Sequence, residues 1–107
     1  MKDCIFCKIV AKELPASVVY EDDDILAFND IHPATPVHVI IIPKKHIDNL
    51  AGSTDDDLEL LGKIQRTAAK LAEKLNIKEA FKVHTMNGEK AGQTVFHLHY
   101  HLNGGYK

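Results

Sequence analysis

Between Phe96 and Leu102 an imidazole alternates with a large apolar side chain, in the order Phe96-His97-Leu98-His99-Tyr100-His101-Leu102. A strand sends successive side chains to opposite faces. The spacing predicts a strand with Phe96, Leu98, Tyr100 and Leu102 on a core, His97, His99 and His101 in a row opposite, and Gly104-Gly105 at its end. Three imidazoles add no packing that Thr or Val would not supply better, so the row points to chemistry. Same-face neighbours on a strand stand about 6.8 Å apart and the outer pair about 13 Å apart, whereas a zinc–nitrogen bond is about 2.0–2.1 Å. One metal ion can take at most two adjacent members. At least one is left for other work, and histidine is both a nucleophile and a proton carrier near neutral pH. Such a row suits an anionic substrate such as phosphate.

Other residues could join that chemistry. Cys4 and Cys7 fall on one side of a short helix, and three readings compete. A thioredoxin-type redox pair needs a βαβ context that is missing, buried inert thiols are the plain option, and a structural metal pair needs two more ligands. His38 interrupts the β-branched run Val37 to Ile42. An imidazole in a central strand needs a partner, so it bonds to backbone or faces the histidine row. The Lys44-Lys45 pair reads as a solvated loop rather than a phosphate clamp, and His84 has no evident partner.

These groups need elements to hold them. Residues 3–12 read as a short helix capped by Asp3, with Ile5/Ile9 and Phe6/Val10 at i,i+4 and Pro15 beyond its end. Residues 17–43 read as a β-meander: Val18-Val19-Tyr20 and Ile25 to Phe28 flank a solvated acidic turn, and a two-proline connection leads to a strand buried on both faces. Ser53 or Thr54 caps a long helix whose stripe is Leu58, Leu61, Ile64, Ala68, Leu71 and Leu75, ending at Asn76. Phe81 to Met86 forms a fourth strand, and a loop from Asn87 to Gly92 leads to the histidine strand. Short turns make the sheet antiparallel, so the expectation is an α+β domain of five strands with both helices on one face.

Length and composition exclude several classes. A chain of 107 residues is one domain, taken as residues 3–107, with a core small enough that oligomerisation would help. Thirteen basic and fifteen acidic residues give a net charge of −2 with no basic stripe, which argues against nucleic acid or an anionic membrane as partner. No apolar run approaches transmembrane length, no signal-peptide pattern is present, and two cysteines spaced Cys-x-x-Cys suggest a reducing cytoplasmic setting.

The run Gln93 to Leu102 resembles the histidine-triad signature, His-φ-His-φ-His-φ-φ with φ apolar, with Asn103 in the final apolar place. Cys4-Ile5-Phe6-Cys7-Lys8-Ile9, Phe28-Asn29-Asp30-Ile31 and His38 to His46 resemble the same family in the same order, and point to its Hint-like branch of small nucleotide-binding hydrolases. The resemblance implies a homodimer whose subunits share one continuous sheet. It implies that His99 is the nucleophile that attacks the α-phosphorus. It further gives His101 the phosphate oxygens, His38 the nucleophile's tautomer, and Thr94, where Hint-type members usually carry Ser, a bond to phosphate or leaving group. Asn87, Gly92 and Gln93 match further phosphate-pocket positions, Asp30 the carboxylate on the ribose hydroxyls, and Phe6, Ile9, Leu14, Phe28 and Ile31 the purine slot. In some bacterial-type members the residues matching Cys4, Cys7, His46 and His97 bind a structural zinc. Hint proteins commonly continue past the double glycine with a tail that completes the partner's site, whereas this chain ends at Lys107, a departure that bears on substrate preference and turnover.

The implied activity is hydrolysis of purine nucleoside phosphoramidates, such as adenosine phosphoramidate or AMP-lysine, through a nucleotidyl-histidine. A neutral imidazole avoids the repulsion an anionic nucleophile meets at phosphorus, nearby donors stabilise the equatorial oxygens, and a departing amine needs a proton carrier. No catalytic metal or organic cofactor is required. Other readings are dinucleoside polyphosphate hydrolysis, a nucleotide- or zinc-binding regulator with little turnover, and a triad that is itself a metal site.

Overall fold

Alternation along each strand and a three-to-four spacing on the helices shape the computed structural model, which describes residues 3–107. Helix α1 spans Ile5–Val10, followed by strands β1 (Val18–Glu21), β2 (Ile25–Asn29) and β3 (Val37–Pro43). Helix α2 spans Leu58–Lys74, and β4 (Phe81–His84) and β5 (Tyr100–Gly104) complete an antiparallel sheet in the order β1-β2-β3-β5-β4.

The two faces of the sheet carry separate cores. Ile25, Ala27, Val39, Ile41, Tyr100 and Leu102 face one way and pack with Ile64, Ala68, Leu71 and Ala72 of α2. Leu26, Phe28, Ile40 and Ile42 face the other way and pack with Phe6 and Ile9 of α1. The expectation of both helices on one face is therefore corrected. A strand buried on both sides, as β3 is, requires a cover on each.

Local chemistry sets the element ends. Cys4, not Asp3, caps α1: its Sγ accepts from the Cys7 backbone N at 3.2 Å. Thr54 opens the second helix through a capping box with Asp57 and a 3-10 turn over Asp55–Asp57. Leu58 lies on that first turn and is 72% exposed, so the buried stripe runs from Ile64. Asn76, at φ 66°, ends α2 with Ile77 N donating to Ala72 O at 2.8 Å. Gly104 closes β5 where a Cβ would stand 2.5 Å from Ile77 Cδ1.

The histidine strand is shorter than its alternation suggests. Tyr100 pairs with Ile41, and continuing the ladder would bring Leu98 to Pro43, which has no N–H. The ladder stops there, the Leu98 amide donates to Ile47 O at 2.6 Å, and His97–His99 leaves the sheet. Leu98 stays buried while Phe96 is 46% exposed.

Candidate functional site

Register places a row of imidazoles across three strands. His101 of β5 stands opposite Ile40 of β3 and His84 of β4, and His38 is two residues from Ile40 on the same face. The Ala34 backbone N–H donates to His38 Nδ1 at 3.0 Å. The ring proton of neutral His38 is therefore on Nε2, which donates to His101 Nδ1 at 2.9 Å and lies 3.4 Å from Asp30 Oδ2. Both expected partners of His38, backbone and row, are thus present. His101 in turn carries its proton on Nε2, a buried donor that finds no partner among the described residues. Burial, with His99, His84 and His38 nearby, pushes the His101 pKa down to about 4.

His99 is fixed differently. Its Nδ1 donates to the His97 carbonyl at 2.8 Å, which leaves the lone pair on Nε2. The ring lies edge-on to Phe6 at 5.1 Å and to His101 at 5.1 Å, and burial lowers its pKa. The neutral form of the ring is the favoured one. His38 reaches His101 rather than His99, so the tautomer of His99 is held by its own backbone segment.

His97 turns to a second cluster. Its Nε2 donates to the Pro43 carbonyl at 2.8 Å, and His46 Nε2 donates to Asp48 Oδ1 at 2.8 Å. Both rings therefore present an Nδ1 lone pair to the thiols: His97 Nδ1 is 3.3 Å from Cys4 Sγ and 3.5 Å from Cys7 Sγ, and His46 Nδ1 is 3.3 Å from Cys7 Sγ. Thiolate and imidazole ligands of one tetrahedral zinc stand about 3.6 Å apart for bonds of about 2.3 and 2.0–2.1 Å. The four donors lie within 4.8 Å of one another, and each imidazole has the outer partner a metal-bound histidine uses. The residues fit a zinc ion. Burial and the Cys4 thiol raise the Cys7 pKa to about 11, and a cation would draw it out as thiolate.

Asp30, His38 and His101 also bring three donor atoms within 4.8 Å. A cation there would need the Nε2 lone pair of His38, forcing the ring proton onto Nδ1 against the Ala34 amide. That conflict makes the trio a hydrogen-bond chain.

The remaining sequence-derived positions separate. Phe6, Ile9 and Phe28 are buried together, with Phe6 edge-on to Phe28 at 5.6 Å. Leu14, 40% exposed, borders a hollow of about 310 Å³ with Ile9, Pro15, Ala16 and Val18. Ile31 is 86% exposed and stands apart from that hollow. Buried Gln93 spends its amide on structure, donating to Asp48 O and Val95 O and accepting from Asn49 Nδ2 and the Gly88 amide. Exposed Asn87 accepts from the Ala51 amide at 2.7 Å, and Gly92 turns the loop at φ 103°. Thr94 is exposed beside Cys4, His46 and Phe96, on the metal-cluster side.

Sequence reasoning missed three participants. His84 stacks on His101, with ring centroids 4.9 Å apart and planes 14° apart. Thr85 Oγ1 donates to the His99 carbonyl at 2.6 Å. Ala34 sets the His38 tautomer from a loop. Pairing of the fourth and fifth strands would have found His84. Nothing in the residue types signals the other two.

A family model described as "Scavenger mRNA decapping enzyme C-term binding" matches residues 3–105. Protein HitA of Neisseria gonorrhoeae is 45% identical over 104 residues, covering 97% of this chain and 97% of that protein. The 14 kDa zinc-binding protein of Brassica juncea is 42% identical over 106 residues, covering 96% and 93%. Among solved structures, a HIT family hydrolase from Clostridium thermocellum superposes with a TM-score of 0.96 at 48% identity, covering 99% of this chain and 93% of that one. A histidine triad protein from Clostridium difficile gives 0.96 at 42% identity, covering 100% and 94%. Agreement of this kind along almost the whole chain, joined to the alternating histidines and the sheet that carries them, means that the protein belongs to the histidine-triad family.

Proposed function

We propose that the protein is a nucleotide hydrolase that cleaves the α-phosphate bond of purine nucleoside phosphoramidates through a covalent nucleotidyl-histidine. The observation that carries this reading is the pairing of His99, whose Nε2 keeps its lone pair, with His101, whose buried Nε2–H has no partner among the described residues. One is a neutral nucleophile and the other a donor prepared for a phosphoryl oxygen. His99 Nε2 attacks phosphorus and the amine departs with a proton; water then attacks the same phosphorus, AMP is released and His99 recovers its lone pair. His101 stabilises charge on the equatorial oxygens in both steps, and Asp30 binds the ribose hydroxyls. Thr94 approaches phosphate or leaving group only if its exposed segment turns toward the row. The likeness to a HIT family hydrolase and to a hypothetical histidine triad nucleotide-binding protein from Sulfolobus tokodaii supports the class.

Cys4, Cys7, His46 and His97 hold a structural zinc that ties the start of α1 to the ends of β3 and the histidine segment. The likeness to the zinc-binding protein of Brassica juncea supports that reading. The working unit is a homodimer. At one end of the sheet β1 is blunted by a register shift and by Lys74 Nζ donating to Val19 O, which leaves β4 as the edge suited to continue into a second copy. Among the described residues no helix is long and apolar enough to cross a membrane. A reducing cytoplasmic setting would keep Cys4 and Cys7, which are not bonded to each other, available to the metal.

Incubating the protein with adenosine phosphoramidate and diadenosine tetraphosphate side by side tests the substrate class. Faster AMP release from the phosphoramidate is expected. A clear preference for the tetraphosphate would move the assignment to dinucleoside polyphosphates, and no release from either would leave a binding protein.

A further inference from the structure

The imidazole row does not stop at the triad. Reading across the sheet on the α1 side, Phe28 and Asp30 lie on or just after β2, His38 on β3, His101 on β5 and His84 on β4. Strands are about 4.8 Å apart, so the row lengthens by one step beyond His101. Under the reading proposed above, on which this inference rests, the nucleoside occupies the β2 side and the α-phosphorus sits over His99 and His101. With the nucleoside on the β2 side, the end of the row that remains open to a leaving group is the β4 side, beyond His101.

His84 stands there. The residue is exposed in the single chain, on the edge strand proposed above to meet a second copy, and its ring lies nearly parallel to that of His101; among the described residues it bonds to no other group. We infer that His84 is a catalytic residue on the leaving-group side, giving a proton to the departing nitrogen and later taking one from the attacking water. In the first half, His99 Nε2 forms a bond to phosphorus as the P–N bond breaks. The bonding pair stays on the departing nitrogen, which accepts the His84 proton and leaves as a neutral amine. In the second half, the water oxygen bonds to phosphorus, its proton goes to His84, and the bond to His99 breaks. The net reaction is phosphoramidate plus water to AMP plus amine.

The surroundings suit a group that holds a proton only briefly. Burial, then Lys82 on its own strand and His38 and His99 across the sheet, push the His84 imidazole below its ordinary value of 6.5. A bound phosphate supplies the opposite charge that favours its protonated form, and loss of the P–N bond then drains the proton to the stronger base.

The role separates from mere stacking by leaving group and by side chain. An adenosine phosphoramidate of a simple alkylamine needs the proton, whereas the p-nitrophenyl ester of AMP expels a stable anion that does not. His84→Gln should lower turnover of the alkylamine substrate on the order of 10²-fold or more, the span of one acid–base group, with only a small loss on the ester. His84→Phe keeps an aromatic ring over His101 and should be as impaired as the Gln variant. Equal losses on both substrates, or recovery in His84→Phe, would overturn the inference and leave His84 a packing residue. A parent protein that releases AMP from neither substrate would instead remove the hydrolase reading, and this inference with it.

Discussion

His38 Nε2 donates to His101 Nδ1 across the β3–β5 pairing at 2.9 Å, and that bond decides which nitrogen of His101 faces outward with a proton. The Ala34 amide stands behind it at 3.0 Å. The chain from backbone N–H through two rings ends on a buried donor that has no partner among the described residues. A site that binds an anion gains from such a donor because no protein bond must break first.

Removing the first ring should therefore damage chemistry more than fold. His38→Phe leaves the His101 tautomer unassigned, and turnover should fall by about 10²-fold or more, as for loss of one acid–base partner. Substrate affinity should change little. Steady-state kinetics read both quantities, and a variant with unchanged kcat would show that the relay is incidental.

Metal analysis tests the second cluster. Protein purified without chelator should carry about one zinc per chain, the capacity of one four-ligand site, and Cys4→Ser should lower occupancy sharply. Zinc at full occupancy in the variant, or none in the parent, contradicts the assignment. Because His97 and His99 are separated by Leu98 alone, metal loss should also loosen the His99 segment and lower thermal stability.

Acid should weaken the metal-free protein through its buried rings. His101 is depressed from an ordinary 6.5 to about 4, so between those values the unfolded chain binds more protons than the native one. Stability is then fully present above about pH 6.5 and declines as pH falls toward about 4, where this contribution is exhausted. Urea midpoints measured in chelator should shift downward over that window, and less so for His101→Gln. Equal slopes for parent and variant would mean His101 is not protected.

Assembly follows from the open β4 edge. Sedimentation at micromolar concentration should show a species of twice the 11.9 kDa chain mass. A monomer alone there would remove the shared-sheet reading.

The strands and α2 were legible because burial imposes periodicity: β3 had to be apolar on both sides, and Ile64, Ala68 and Leu71 had to share a stripe. The ends of elements were less so. Asp3 looked like a better cap than Cys4, whose thiol serves because Cys7 N points at it. The alternation from Phe96 read as one strand, since no local signal reveals that Pro43 on another strand ends the ladder. The histidines were legible as a group by spacing, but their division between a Cys/His cluster and an imidazole row depends on His46 and His38, distant in sequence. Gln93 matches a phosphate-pocket position through the family resemblance alone, and its type gives no sign of the four bonds by which it holds the loop.

The central claim is that His99 carries the nucleotidyl group. Rapid-quench labelling with an AMP-donor substrate, followed by peptide mapping, tests it most directly. The label should appear on His99 and decay as AMP is released, and His99→Gly should lose far more than the roughly 10²–10⁴-fold of an acid–base group while still binding AMP. A label on His97 or His101, or a His99→Gly protein retaining more than about a tenth of the parent rate, a smaller loss than one acid–base group brings, would contradict the account.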